Sequence, residues 1–272
     1  MDYHFSVLMS VYIKEKPEYF RACMESIVNQ TLPPDEIVLV LDGPITDELR
    51  HEIVSYQNSC RFPVVTVPLE QNKGLGLALA EGIKHCVYPL VARMDTDDIC
   101  VPERFQKQIQ EFQKDANLDI VGSHIKEYDL DFSNVLSMRK VPLKHEEICK
   151  YQRKRSAFNH MTVMFRKEAV LRAGNYKHAP LMEDDLLWCE MLKTGSIGKN
   201  IDEVLVNVRA GESMLKRRGG WSYFVKYCSG RKKILQTGYI GYFDYYLTCA
   251  VQLIVALVPN SIRKFIFLKL LR

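Results

Sequence analysis

The chain lacks an uninterrupted apolar run of the roughly 20 residues that a membrane-crossing helix needs. The nearest approach, Tyr239–Val258, is broken by Asp244 and by glycine, so a true span is not expected. Its opening residues, MDYHFSVLMSVY, have neither a basic leader nor a long apolar stretch, and no secretory signal is expected from them. The eight cysteines include no CxxC pair, which argues against a zinc site or a disulfide framework and for reduced thiols in a cytoplasmic protein. Linkers rich in Pro, Gly or Ser, internal repeats and low-complexity runs are also missing. With 272 residues and 47% hydrophobic content, the chain can bury a full core, as one main domain plus an appendage.

The net charge of +4 is unevenly spread. Residues 210–272 carry +9, with a large share of the aromatic residues, whereas residues 1–209 carry −5. Basic charge mixed with aromatics suits a nucleic acid or an anionic membrane surface, and a second feature must choose between them.

Apolar strand patterns alternate with helical ones through the first half. Ser6–Val11, Glu36–Leu41, Pro63–Pro68 and Pro89–Met94 read as buried strands. Between them, helices are expected from Pro17, near 45–57 and over Gly74–Cys86, with another starting at Pro102. This order predicts an α/β sandwich with a mainly parallel central sheet. Right-handed crossovers then set every strand C-terminus along one edge, where open α/β sheets bind ligands. Tyr12, Asp42 and Asp95 each follow a strand and should face one crevice. Periodicity weakens after Leu118, where mixed elements up to about Arg209 would supply the other half of the site.

Asp95-Thr96-Asp97-Asp98 sets three carboxylates within four residues, directly after the fourth strand. Unpaired, they repel one another and raise each other's pKa. A hard divalent cation such as Mn²⁺ or Mg²⁺ removes the conflict, commonly with substrate phosphates completing its shell. A solvated acidic turn or a helix cap is the plainer alternative.

Arg93-Met94-Asp95-Thr96-Asp97-Asp98-Ile99, followed by Pro102-Glu103-Arg104, resembles the Asp-x-Asp(-Asp) loop of family 2 inverting glycosyltransferases. The resemblance covers roughly residues 5–210 and implies the GT-A fold, a nucleotide-binding α/β sandwich. It assigns Asp97 to the metal and Asp95 to the ribose or the metal, and leaves Asp98 open, with a cap for the following helix as its structural alternative. Ser10-Val11-Tyr12 matches the first-strand motif, with Tyr12 against the nucleobase. Asp42 matches the acidic residue that accepts from the base imide, and Asn72-Lys73-Gly74 matches the turn before the third helix. Core packing for Tyr12 and turn formation for Asp42 are the alternatives. Gly74-Leu75-Gly76 lacks the third glycine of a dinucleotide fingerprint, since Leu79 stands there. Where many relatives carry Arg-Asn this chain has Leu79-Ala80, and Arg93 is the candidate to position the donor instead.

A second acidic cluster, Glu183-Asp184-Asp185, opens an amphipathic pattern ending in Leu187-Trp188. Acidic residues at a helix start are favoured by its dipole alone. The run also resembles the family's Glu-Asp-x-x-Leu-Trp motif, which implies Asp184 as the base in a single inverting displacement. Asn159-His160 resembles the acceptor-side strand, so His160 is expected either at donor phosphate or sugar or in a structural role. Arg217 and Arg218, in the basic loop Gly211–Gly220, are candidates to close over the diphosphate.

Two domains are thereby expected: a GT-A catalytic domain over 1–210, with a donor half of about 1–117 and an acceptor half of about 118–210, and a basic aromatic segment over 211–272. Apolar and basic residues alternate in SIRKFIFLKLLR at the end of that segment, which favours a membrane-associating amphipathic helix over nucleic-acid binding. Packing on the catalytic domain or dimerisation is the alternative. The expected activity is transfer of a hexose from a nucleotide-sugar, UDP-hexose foremost, to a lipid-linked saccharide at the inner face of the cytoplasmic membrane, as in bacterial surface-polysaccharide synthesis. A nucleotidyltransferase or a non-catalytic nucleotide-sugar binder are the rival classes.

Overall fold

The computed structural model describes residues 3–211 and 219–258. The donor half follows the pattern expected from periodicity. It runs β1 (Phe5–Val11), α1 (Pro17–Val28), β2 (Glu36–Leu41), α2 (Asp47–Ser59), β3 (Val64–Pro68), α3 (Leu75–His85) and β4 (Leu90–Arg93). The four strands pair in parallel, in the order β3-β2-β1-β4. Val11, Leu41 and Pro68 end in register, so the loops after β1, β2 and β3 leave one edge together. β4 stops at Arg93, opposite Leu8, while β1 runs on to Val11. The residues after Arg93 therefore turn into a step in that edge.

Both faces of this sheet are covered, as its near-continuous apolar strands require. Phe5, Val7, Met9, Ile37 and Leu39 pack beneath α1 and α2. Leu8, Val38 and Val40 face α3, where Gly82 allows the helix to lie close. A Cβ at Gly82 would stand 2.5 Å from Leu8 Cδ1 and 2.5 Å from Val40 Cγ2.

Beyond β4 the sheet is mixed, so the parallel pairing of the donor half gives way to antiparallel neighbours. After β5 (Ile99–Cys100) and α4 (Arg104–Lys114) come β6 (Leu118–Tyr128), β7 (Val135–Arg139), α5 (His145–Gln152), β8 (Met164–Arg166), α6 (Lys167–Arg172), α7 (Glu183–Lys193) and β9 (Ile197–Arg209). β8 lies antiparallel to both β4 and β6, and the chain enters it from α5 by way of a 3₁₀ turn at His160–Thr162. β6 and β9 are parallel, and β5 and β7 pair antiparallel at the margins. Buried Arg104 and Gln108 of α4 tie these pieces together. Arg104 donates to Arg93 O (2.6 Å) and to Gln108 Oε1 (3.1 Å), while Gln108 donates to Val121 O (2.9 Å) and Thr162 O (2.8 Å).

Residues 219–258 form a helical hairpin, α8 (Trp221–Thr237) and α9 (Tyr242–Leu257), turned at Gly238 in the left-handed region (φ 79°). The hairpin is docked on the catalytic half. Ile234 and Ile240 join Ala179, Met182, Leu186 and Cys189 in one apolar cluster. Buried Asp244 accepts two bonds from Arg153 (3.0 and 2.7 Å), and buried Arg231 donates to Arg153 O (2.7 Å). α9 spans about 24 Å at 1.5 Å per residue. Among the described residues no helix is long and apolar enough to cross a membrane. The amphipathic run at 261–272 lies outside the described residues.

Gly82→Val should test the close approach of α3 to the sheet. Overpacking of this kind costs about 1–3 kcal/mol, so the urea midpoint should fall with an unchanged slope, and an unmoved midpoint would refute the tight contact.

Candidate active site

The acidic loop folds into the step left by β4. Arg93 is 1% exposed, and its Nη1 lies 2.5 Å from Asp95 Oδ1. Its Nε is buried with no hydrogen-bond partner, so the guanidinium retains donor capacity toward the cleft. Thr96 donates to the carboxylate of Glu15, from the loop after β1. Asp98 is buried and accepts the backbone N–H of Arg209 (3.0 Å). It does not cap the following helix, whose N-cap is Glu103 with no side-chain bond. The Arg209 side chain donates from Nε to Asp97 O (2.8 Å), and its guanidinium lies over the rings of Tyr19 (4.0 Å) and Phe132 (4.3 Å). The last residue of β9 thereby clamps a loop more than a hundred positions earlier.

This packing concentrates negative charge. Burial, and then the charges of Asp95 and Glu15, push Asp97 up to about 7. Burial also raises Glu15, and it raises Asp98 well above the usual carboxylate range with help from Asp97 and Asp95. Among the described residues no three His, Cys, Asp or Glu side chains converge as a ready metal cluster. Mn²⁺ or Mg²⁺ needs only one or two protein carboxylates when diphosphate oxygens and water complete the shell. Half-buried Asp95 and Asp97, with Glu15 behind them, fit that demand, and the raised Asp97 marks a charge surplus that a hard cation would offset.

The nucleotide-side residues line the same edge. Tyr12 is 42% exposed just beyond β1, with half-buried Ser10 beneath it. Asp42 is buried, and its two oxygens accept the backbone N–H groups of Lys73 (2.7 Å) and Gly74 (3.0 Å). Asn72 donates to Asp42 O (3.2 Å). Turn formation, the alternative for Asp42, is therefore its visible role: it folds the 72–74 turn and closes the start of α3. A base imide would have to use the remaining lone pairs of that carboxylate. Gly43 permits the contact, since a Cβ there would meet Asn72 N at 2.7 Å.

Asp184 occupies the first turn of α7, and α7 begins against the first turn of α3. Gly76 allows this approach, because a Cβ on it would lie 2.9 Å from Glu183 Cβ. Burial first, then the neighbouring Asp185 and Glu183 charges, push Asp184 up to about 7. Tyr176 is buried within the fields of both Asp184 and Asp95, and Arg93 acts on Asp97, Tyr176 and Glu183 alike. The two acidic clusters thus lie near one another, both within the field of buried Tyr176, with Arg93 acting on members of each. His160 is packed beside Tyr176 and Trp188, in keeping with the structural role, one of its two expected readings. Its Nε2 meets Tyr176 Oη (3.1 Å), its ring sits 6.0 Å from Trp188, and burial together with the Arg93 charge depresses its pKa well below the imidazole range. Lys73 is exposed on the turn, and Arg217 and Arg218 lie outside the described residues. Glu15, Tyr176 and Arg209 were not singled out by the sequence patterns; each reaches the site from a distant segment.

The family model described as "Glycosyl transferase family 2" matches residues 6–177. The chain belongs to glycosyl transferase family 2. The transferase is 41% identical over 268 residues to "Amylovoran biosynthesis glycosyltransferase AmsE" of Erwinia amylovora, covering 97% of this chain and 98% of that one. It is 35% identical over 268 residues to the Escherichia coli "UDP-Gal:alpha-D-GlcNAc-diphosphoundecaprenol beta-1,3-galactosyltransferase", covering 98% and 96%. Its fold matches the mannosyltransferase PcManGT of Pyrobaculum calidifontis, solved with GDP-Man and Mn²⁺, at a TM-score of 0.62 and 13% identity over 96% of this chain and 72% of that one.

The raised pKa of Asp97 has a signed consequence for the transferase in metal-free buffer. The fold holds a proton that the unfolded chain releases in the ordinary carboxylate range, so ionised Asp97 costs stability as pH rises toward 7. Asp97→Asn should therefore melt above the parent in EDTA, by about 3–6 °C for a gain of 1–2 kcal/mol. The difference should grow from pH 5 to 7 and level off above; a constant difference would contradict the assignment.

Proposed function

We propose that this transferase moves a hexosyl group from a UDP-sugar to a hydroxyl of a lipid-diphosphate-linked saccharide, with inversion and with Asp184 as the base. The observation that carries this reading is the nearness of two groups: a half-buried carboxylate raised to about 7 at the start of α7, and the crowded acidic loop, both acting on buried Tyr176. The name of the Escherichia relative supports the acceptor class and the UDP donor.

Tyr12 would lie against the base, with Ser10 and the Asp42-organised turn of Asn72 and Lys73 beside the nucleoside. Arg93 would hold Asp95 in place and lend its remaining donor to the donor sugar or phosphate. Asp184 would accept the acceptor hydroxyl proton as oxygen attacks the anomeric carbon opposite the departing UDP, so one bond forms as the other breaks. Mn²⁺ or Mg²⁺ on Asp97 and Asp95 would supply charge neutralisation at the diphosphate. Exposed Phe243, Tyr246, Ile254 and Leu257 along α9 support attachment to a membrane surface, which for this substrate is the inner face of the cytoplasmic membrane.

Asp184→Asn should lower turnover by about 10²–10⁴-fold, the usual worth of a positioned base, while UDP affinity by calorimetry stays the same. The parent's kcat should rise with pH and level off above about 7, as Asp184 loses its proton. Unchanged turnover in the variant would defeat the base assignment. EDTA should abolish turnover across a panel of UDP-hexoses and Mn²⁺ or Mg²⁺ should restore it; full activity in EDTA would remove the metal from the reading.

A further inference from the structure

A cavity of about 430 Å³ opens between the catalytic half and the C-terminal hairpin. Asp184 and Asp185 line one side of it. Arg139, Lys154 and Arg155 line another, and Leu247, Val251 and Val255 of α9 form an apolar wall. The cations come from β7 and from the turn after α5, and the wall from the docked hairpin, so the cavity exists only because the hairpin packs there.

The chemistry of these walls is uneven. Asp185 is already occupied by Gln152 (2.9 Å), which leaves Asp184 as the carboxylate for a ligand proton. Arg139 spends one N–H on Ser156 O (3.0 Å), out of five that a guanidinium carries. Arg155 stacks on Tyr151 (5.7 Å), which fixes its plane, and Lys154 is exposed at the rim. The amide nitrogen of Gln252, another lining residue, is buried with no hydrogen-bond partner and would be satisfied by a ligand oxygen. Outward from the cavity, the apolar wall continues as an exposed stripe on α9, with Val251 48% and Ile254 61% exposed.

We propose that this cavity is the acceptor site, with Arg139, Lys154 and Arg155 holding the diphosphate and the α9 stripe leading the lipid chain out toward the bilayer. The proposal rests on the glycosyl-transfer reading and narrows it. Arginine and lysine grip a diphosphate through charge-assisted bonds, whereas an apolar chain has no use for them. Leu247, Val251 and Val255 do the reverse. Because the cations and the base line one small cavity, the hydroxyl that Asp184 serves belongs to the sugar attached directly to the diphosphate. The reaction then stands early in chain building. A sugar-phosphate transferase acting on a lipid phosphate must supply its acceptor, and its product is a lipid-linked disaccharide.

Farnesyl diphosphate tests the site by calorimetry on the full chain, with saturating UDP present to fill the donor site. Inorganic pyrophosphate and farnesol serve as the head-only and tail-only arms. Farnesyl diphosphate should bind, with each arm at least about tenfold weaker. Arg139→Gln and Lys154→Gln should each weaken it by about tenfold, the worth of one charge-assisted contact, and Val251→Asp should weaken it as well. UDP affinity should be unchanged in all three, which shows that they fold. Equal binding by parent and variants, or displacement of farnesyl diphosphate by UDP, would overturn the site. Equal affinity for pyrophosphate alone would reduce it to a free-phosphate site and overturn the lipid assignment. Asp184→Asn should bind farnesyl diphosphate undiminished. An active Asp184→Asn would thus count against the catalytic reading only, and lost discrimination in the cation variants against the cavity only.

Discussion

Burying the Arg93 guanidinium at the end of a sheet strand is costly unless an opposite charge is held beside it, and Asp95 at 2.5 Å is that charge. The pair explains much of what surrounds it. Asp95 cannot swing into solvent without leaving a buried cation alone, so the loop that follows is pinned at its first residue. Arg104 holds the same strand end from below through Arg93 O, and Arg209 pins the far end of the loop through Asp97 and Asp98. Three arginines thereby organise one acidic turn. Only Arg93 is placed to act on the second acidic cluster as well.

The strain in this arrangement is electrostatic. Asp97, Asp98 and Glu15 are all driven toward their neutral forms, and so is Asp184 at the start of α7. A fold that served only stability would gain by replacing these carboxylates with apolar groups. Keeping them makes sense where cationic or proton-bearing partners arrive with the substrates, which is how sites tune acid and base groups generally.

Much of the donor half was legible in the sequence, because strands buried on both faces and helices with one apolar stripe leave strong periodic signals. Glu36–Leu41 forms a strand with the expected bounds, and β4 ends at Arg93, one residue short of the expected Met94, with Asp95 in the loop that follows. The acceptor half was not legible in the same way. β8 is three residues long and is held in the sheet by antiparallel neighbours, not by a pattern of its own. Glu15 and Arg209 escaped notice because their partners lie 81 and 111 positions away, and nothing local marks either residue. His160 and Asp42 show where a motif leaves two roles open. Motif and position pointed to the ligand, while burial and existing bonds give both a share in holding the fold.

Gly230 of α8 sits so close to Met182 that a Cβ would fall 2.5 Å from Met182 Cγ. Met182 is the N-cap residue of the helix that carries Asp184. The C-terminal hairpin therefore meets the start of α7 directly, through the Met182 side chain. The donor half meets the same helix at Gly76, where a Cβ would stand 2.9 Å from Glu183 Cβ. Hairpin, α7 and α3 thus stand in one unbroken line of close contacts, so a change at any one of them bears on the other two.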